Sequence, residues 1–255
     1  MKILVLSDVH ANRQALESVL AKEKYFDLLV CAGDYVDYGV DPSFVVNYFS
    51  SYQGDKYLVR GNHDDHLISV FKDGCYKILS NQSYKWIHYN CSLLNSEEVH
   101  FLETLPIVSA FECDGINYLI KHQYDDEYGE IKTEAEFNLF WNFYAPNIMN
   151  DVSNRCIIFG HSHRQYIHKI GEGMECINPG SVSYRRPDDN GKDAQYIVIE
   201  DGNIRLCSVP YDRSISLSIV KDFNKRNAMK ITELQDAYFF FGDAPSTRSE
   251  LVKEK

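Results

Sequence analysis

Aspartate, asparagine and histidine recur along this chain in six short clusters: SDVH (7–10), GDYVD (33–37), RGNHD (60–64), KH (121–122), GHSH (160–163) and NPGS (178–181). Imidazole nitrogens with carboxylate and amide oxygens are the donors that divalent metal ions take. In D-x-H and H-x-H, residues two apart on an extended chain project to one side, so Asp8 with His10, and His161 with His163, can each address one centre. Each cluster alone also has an ordinary reading: SDVH is a turn with a helix cap, NPGS a tight turn, and GDYVD says little. Jointly they leave little room for it. Carboxylates and imidazoles gathered in a partly dry crevice are unfavourable by several kcal/mol each unless cations pair them, and the clusters hold too few Lys or Arg to do so.

Each cluster follows a short apolar run: KILVL (2–6), LLVCA (28–32), KYLV (56–59), INYLI (116–120), CIIF (156–159) and MECI (174–177). With QYIVI (195–199) these runs predict seven buried strands. Helical spacing marks 13–24, 42–50 behind Asp41 as an N-cap, and 96–105, which opens on a loose SEEV capping pattern. Alternating strand and helix predict an α/β fold with parallel central pairing in its first half. The turns GEG (171–173) and EDGN (200–203) predict antiparallel later strands, hence a mixed architecture. Ligands bind at the carboxyl edge of open α/β sheets, where all six clusters would then meet.

The chain has 255 residues, 44% of them hydrophobic, enough for one large core, and shows no repeat or linker. Its 26 Lys+Arg against 37 Asp+Glu give a net charge of −11, which opposes strong nucleic-acid or anionic-membrane binding. The first apolar stretch, ILVL, is too short for a signal segment and no later run approaches a membrane span, so a cytoplasmic protein is expected. Seven cysteines without a C-x-x-C pair read as reduced, mostly buried thiols.

The ordered set D-x-H, G-D-x-x-D, G-N-H-D, a lone His and G-H-x-H resembles the calcineurin-like metallophosphoesterase superfamily from Lys2 to about Arg213, and GDYVDYGVDP with INPGS resembles its small bacterial and archaeal phosphodiesterase-like branch. The resemblance implies a four-layer α/β/β/α sandwich with two mixed sheets, forming a core over 1–213. Over 214–255 a C-terminal helical extension would pack on that core and fray at its end. Two divalent metal ions (Mn, Fe, Zn, Co or Ni, with Mn favoured) are implied. Asp8, His10 and His163 would hold one, Asn62, His122 and His161 the other, with Asp34 bridging both. His63 would be the catalytic histidine, oriented by Asp64, with Asp37 a further supporting partner. Gly61 would let the backbone turn sharply. Asn12, Arg164 and Arg186 stand as candidates for supporting or substrate contacts.

The chemistry so implied is hydrolysis of a small or nucleotide-like phosphoester, a phosphodiester above all, by a metal-bridging hydroxide attacking in line. His63 would stabilise the growing charge or protonate the leaving oxygen. Four positive charges from two ions, set against the carboxylates of Asp8 and Asp34, would leave the pocket positive by about two and so attract phosphate. A phosphomonoesterase, including a protein serine/threonine phosphatase, is one alternative. A non-catalytic interaction scaffold of the same fold is another, against which the retained ligands and His63 argue.

Three departures from the family pattern stand out. Ala11 replaces the glycine of D-x-H-G-N, Gln123 follows His122 where glycine is common, and Tyr38 stands where phosphatases and dinucleoside tetraphosphate hydrolases carry a phosphate-gripping arginine. Specificity is expected from the rim: Arg13, Arg164, Arg185 and Arg186, and the segment 123–146, whose Phe137, Phe140, Trp141, Phe143 and Tyr144 either pack on the sheet or stack a base or sugar. The helical tail over 214–241 would cover core or a homo-oligomer interface.

Overall fold

The computed structural model describes residues 1–78, 84–125, 128–146, 154–183, 191–226 and 231–244. Its strands are β1 (Lys2–Leu6), β2 (Leu28–Cys31), β3 (Asp55–Leu58), β4 (Val108–Cys113), β5 (Ile116–Lys121), β6 (Arg155–Ile158), β7 (Gln165–Gly171), β8 (Met174–Pro179), β9 (Ala194–Glu200) and β10 (Asn203–Val209). They form two five-stranded sheets, in the orders β10-β9-β1-β2-β3 and β4-β5-β6-β8-β7. β1, β2 and β3 are mutually parallel, as are β5, β6 and β8, while β4, β7, β9 and β10 pair antiparallel. The expectation of antiparallel pairing late in the chain therefore holds across both turns, for β7 with β8 and β9 with β10, whereas β6 pairs parallel on both sides and β8 is parallel to β6.

The apolar runs are continuous because both faces of the central strands are covered. In β1, Ile3 and Val5 enter the core between the sheets with Val30, Phe111, Tyr118, Ile120, Ile158 and Ile197. Leu4 and Leu6 face the other way, against Leu16, Val45, Phe49, Leu67 and Leu102. Those five come from α1 (Arg13–Lys22), α2 (Pro42–Ser51), α3 (Asn62–Asp73) and α5 (Ser96–Thr104), beside which α4 (Trp86–Leu93) packs. α6 (Glu134–Tyr144) covers the outer face of the second sheet, setting Phe137, Phe140 and Trp141 on Leu119, Ile157 and Cys176. Helix, sheet, sheet and helix make the four-layer sandwich. Beyond it, α7 (Ser214–Arg226) and α8 (Ile231–Phe241) bring Val220, Leu234, Phe239 and Phe240 onto Trp86, Tyr89 and Val40.

Local chemistry explains the boundaries. Asp41 caps α2 by accepting the Phe44 N–H at 3.2 Å. The cap of α5 lies one residue before SEEV: Asn95 accepts the N–H groups of Glu97 and Glu98, and Glu98 returns the bond to the Asn95 N–H at 2.8 Å. β4, β7 and β10 were not among the apolar runs because they are edge strands with mixed polarity and partial exposure. All seven cysteines are free, five of them buried. Among the described residues no helix is long and apolar enough to cross a membrane.

Candidate metal centre

Three parallel strands in each sheet end at the same edge, so the loops after β1, β2, β3, β5, β6 and β8 converge there. Those loops are bent hard. Asp8, His10, Ala11, Asp34, Asp37, Tyr38, His161 and His163 all have φ between 46° and 71°. The left-handed region is unfavourable by about 1–2 kcal/mol per non-glycine residue, and Asp and His tolerate it better than most. Asp8 with His10, and His161 with His163, thus converge through left-handed turns and not through an extended pleat. The turns are held from outside. The N–H groups of Asp8, His10 and Ala11 donate to the carbonyls of Gly33, Asp34 and Tyr35 at 2.9, 3.0 and 2.7 Å.

Two donor groups result. In the first, Asp8 Oδ1 lies 2.9 Å from His163 Nε2 and 3.8 Å from His10 Nε2, and the two imidazole Nε2 atoms are 3.4 Å apart. In the second, His122 Nε2 lies 3.1 Å from both Asp34 Oδ2 and Asn62 Oδ1, while His161 Nδ1 is 3.0 Å from the same Asn62 oxygen. Asp34 Oδ2 is also 4.0 Å from His10 Nε2, so it faces both groups. All seven side chains proposed as ligands are therefore brought together.

The donors fit divalent cations. Asp8 Oδ1 and Asp34 Oδ2 are fully buried, yet neither receives a hydrogen bond. Nitrogens at 2.9–3.1 Å do not by themselves satisfy them. His10 and His122 can give their Nδ1 hydrogens to the carbonyls of Val36 and Ala32, at 3.0 and 2.6 Å, which turns each Nε2 lone pair inward. Lone pairs then face lone pairs unless a proton or a metal ion sits between them. Without metal, burial alone would lower the pKa of His122, but the charges of Asp34 and Asp8 raise it to about 9. Burial would raise the carboxyls of Asp8 and Asp34, but the surrounding imidazoles hold Asp8 at about 2 and Asp34 well below its ordinary range. Burial lowers His10 to about 4.

His63 stands beside the two groups, its ring 5.1 Å from that of His10. Its orienting partner differs from expectation. Nδ1 lies 2.9 Å from Asp37 Oδ2, whereas Asp64 accepts the backbone N–H groups of Asp34, Tyr35 and Gly61 at 2.9, 2.9 and 2.8 Å. Asp64 fastens two loops and α3 together and does not orient His63. The reason is geometric: Asn62, His63 and Asp64 open α3, so consecutive side chains diverge around the helix. Gly61 also serves differently, since its φ of −104° is open to any residue. What it supplies is space, because an added Cβ would lie 2.1 Å from Asp34 Oδ1.

The remaining candidates divide. Asn12 caps α1 through Ala15 N–H and donates to Ser183 Oγ and Tyr211 Oη at 2.8 and 3.1 Å, so its amide is occupied structurally. Arg13 is engaged by Glu17 and Asp41. Arg164 is exposed, and Arg185 and Arg186 lie outside the described residues. Gln123, with Arg60, Lys121 and His122, lines a cleft of about 280 Å³ that opens on Asn62. Phe137, Phe140 and Trp141 are core. Sequence reasoning passed over Tyr128 in the same segment, an exposed ring stacked on His161 at 5.0 Å. It had no signal beyond being one of 18 tyrosines. A larger cavity of about 550 Å³, by Lys2, Tyr25 and Tyr48, lies at the opposite edge of the sheet.

This fold and donor set are those of a metal-dependent phosphoesterase. Residues 1–201 match the calcineurin-like phosphoesterase superfamily domain, and the chain belongs to that family. Membership brings divalent metal ions and phosphoester hydrolysis as its class of chemistry. The chain is similar to an uncharacterized protein of Methanocaldococcus jannaschii, 26% identical over 238 residues that span 82% of this chain and 88% of that one. A metallophosphoesterase structure from Sphaerobacter thermophilus superposes with a TM-score of 0.66 at 23% identity, covering 93% of this chain and 100% of that one. A hypothetical protein from Pyrococcus horikoshii gives 0.71 at 14% identity, covering 96% and 99%. Likeness at these identities speaks to the fold.

Proposed function

We propose that the protein is a dinuclear metal-dependent phosphodiesterase acting on a small or nucleotide-like phosphodiester. The observation that carries this reading is the pair of buried carboxylate oxygens, Asp8 Oδ1 and Asp34 Oδ2, left without hydrogen bonds among inward-facing imidazole nitrogens. Asp8, His10 and His163 would hold one ion, Asn62, His122 and His161 the other, and Asp34 both. Bound there, divalent ions acidify water and neutralise phosphoryl charge. Of Mn, Fe, Zn, Co and Ni, Mn²⁺ is the ion we favour.

The chain itself supplies the rest. In the metal-free protein burial opposes protonation of His63, but Asp34 and Asp37 raise its pKa to about 9. Its Nδ1 is held by Asp37, so Nε2 is left to donate to a phosphoryl or leaving-group oxygen. Tyr38, which stands in the motif where related phosphatases carry a phosphate-gripping arginine, sets its ring 5.4 Å from His10 and 5.0 Å from His63. That favours a phosphate bearing two ester groups over a dianionic monoester. The test is turnover of bis-p-nitrophenyl phosphate against p-nitrophenyl phosphate with added Mn²⁺. The diester is expected to be cleaved faster. Faster monoester cleavage would make the protein a phosphomonoesterase, and release from neither would favour a scaffold.

A further inference from the structure

We infer that Asn90, on α4, is a positioning residue for the Asp37–His63 pair, an inference that rests on the phosphoesterase reading for its catalytic meaning but on hydrogen bonding for its geometry. Asp37 and Tyr38 are consecutive non-glycine residues in the left-handed region, with φ of 71° and 55°. Such a stretch persists only when its surroundings over-determine it. Asn90 does this. Fully buried, it accepts the Asp37 N–H through Oδ1 at 3.1 Å and donates Nδ2 to the Gly39 carbonyl at 3.1 Å. A second bond from Nδ2 to the Trp86 carbonyl, at 3.2 Å, ties the amide to its own helix.

The side chain thus stands in for a neighbouring strand, bridging an N–H and a carbonyl two residues apart. A carboxamide accepts and donates at once from two atoms held apart in one plane. Aspartate at this position would lose the donor and set a second carboxylate beside the buried Asp37. Next to it on α4, Tyr89 donates its hydroxyl to the Val40 carbonyl at 3.1 Å, a further anchor of the same loop. Behind them, Trp86, Tyr89 and Val40 share one apolar cluster with Val220, Leu234 and Phe240 of α7 and α8. The line of support runs from the C-terminal helices through α4 to Asp37, and from Asp37 to His63 Nδ1. The metal-holding side chains are absent from it.

The experiment pairs Asn90→Ala with His63→Ala in the full chain, reading kcat and KM for bis-p-nitrophenyl phosphate with Mn²⁺, bound metal by elemental analysis, and the hydrogen-bonded His63 Nδ1–H by nitrogen-edited NMR. Asn90→Ala is expected to lower kcat about 10- to 100-fold with KM and metal content little changed, to shift the His63 ring signals, and to add nothing on the His63→Ala background. Equal losses on both backgrounds would mean that Asn90 serves only the fold and would overturn the inference. So would unchanged ring signals and kcat in Asn90→Ala where His63→Ala impairs turnover, an outcome that leaves the functional reading intact. If the wild type cleaves nothing while Asn90→Ala still shifts the His63 signals, the positioning stands and the functional reading falls. Should Asn90→Ala not fold, Asn90→Ser, uncharged and too short to bridge the Asp37 N–H and the Gly39 carbonyl, is read by the same outcomes.

Discussion

Asp37 Oδ2 lies 2.9 Å from His63 Nδ1, while Asp64, the chain neighbour of His63, directs both carboxylate oxygens at backbone N–H groups of three other residues. Two buried aspartates close to one histidine therefore have separable roles. Asp37→Asn is expected to lower kcat by about 10- to 100-fold while leaving metal content and thermal stability nearly intact. Asp64→Asn is expected to lower stability by roughly 1–3 kcal/mol, because an amide accepts at one oxygen where the carboxylate accepts at two. Steady-state kinetics and thermal denaturation of both variants check this, and a stable but inactive Asp64→Asn would reverse the assignment.

Gly61 and Gly74 offer a contrast between lack of space and backbone freedom. An added Cβ at Gly61 would lie 2.1 Å from Asp34 Oδ1 and 2.8 Å from Asp34 N, with φ unstrained. Gly61→Ala should displace Asp34 and sharply weaken metal binding, read by titration calorimetry. Gly74 has φ +73°, and a Cβ added there would meet nothing within 4 Å. Gly74→Ala should cost about 1 kcal/mol of stability and leave metal binding alone.

The pH dependence of the chelated protein follows from the histidines. His122 and His63, each raised from an ordinary 6.5 to about 9 once their aspartates outweigh burial, contribute stability that is complete below pH 6.5 and lost as pH rises through 9. His10, lowered by burial to about 4, has the opposite sign and acts only below pH 6.5. The melting temperature of chelated protein should therefore fall between pH 6.5 and 9. With metal in place of the His122 proton the fall should shrink, and metal uptake at pH 7 should release protons, measurable by calorimetry in buffers of different ionisation enthalpy. A flat chelated profile in that window would contradict these assignments.

The C-terminal helices are integral to the packing. Phe240 is buried in the cluster that contains Trp86, Tyr89 and Val40, and Arg213 donates to the carbonyls of Phe240 and Gly242 at 3.3 and 3.2 Å. Phe240→Ala is expected to lower stability by roughly 3–5 kcal/mol in a single unfolding transition. A separate early transition, with the remainder unchanged, would show the helices to be an independent unit.

Seven strands and the convergence of six loops were legible because buried strands are apolar without interruption and the chemistry-bearing side chains follow them directly. Edge strands β4, β7 and β10 were not, since a strand exposed on one side carries polar residues that blur the run. Within the site, residue type marked the clusters, and the family resemblance picked from them Asp8, His10, Asp34, Asn62, His122, His161 and His163, which the fold does gather. Which aspartate meets His63 was hidden, because chain adjacency favours Asp64 and only the helical start at Asn62 turns it away. Asn90 gave no sign at all: its partners on the Asp37 loop are backbone groups about fifty residues distant, and backbone groups leave no mark on a sequence.

The most direct measurement is anomalous scattering from crystals of the protein soaked in Mn²⁺, compared with the Asp34→Ala variant. Two peaks are predicted in the wild type, one among Asp8, His10 and His163 and one among Asn62, His122 and His161, both in contact with Asp34 and both lost in the variant. A wild-type crevice without peaks, or peaks that persist unchanged in Asp34→Ala, would contradict the account.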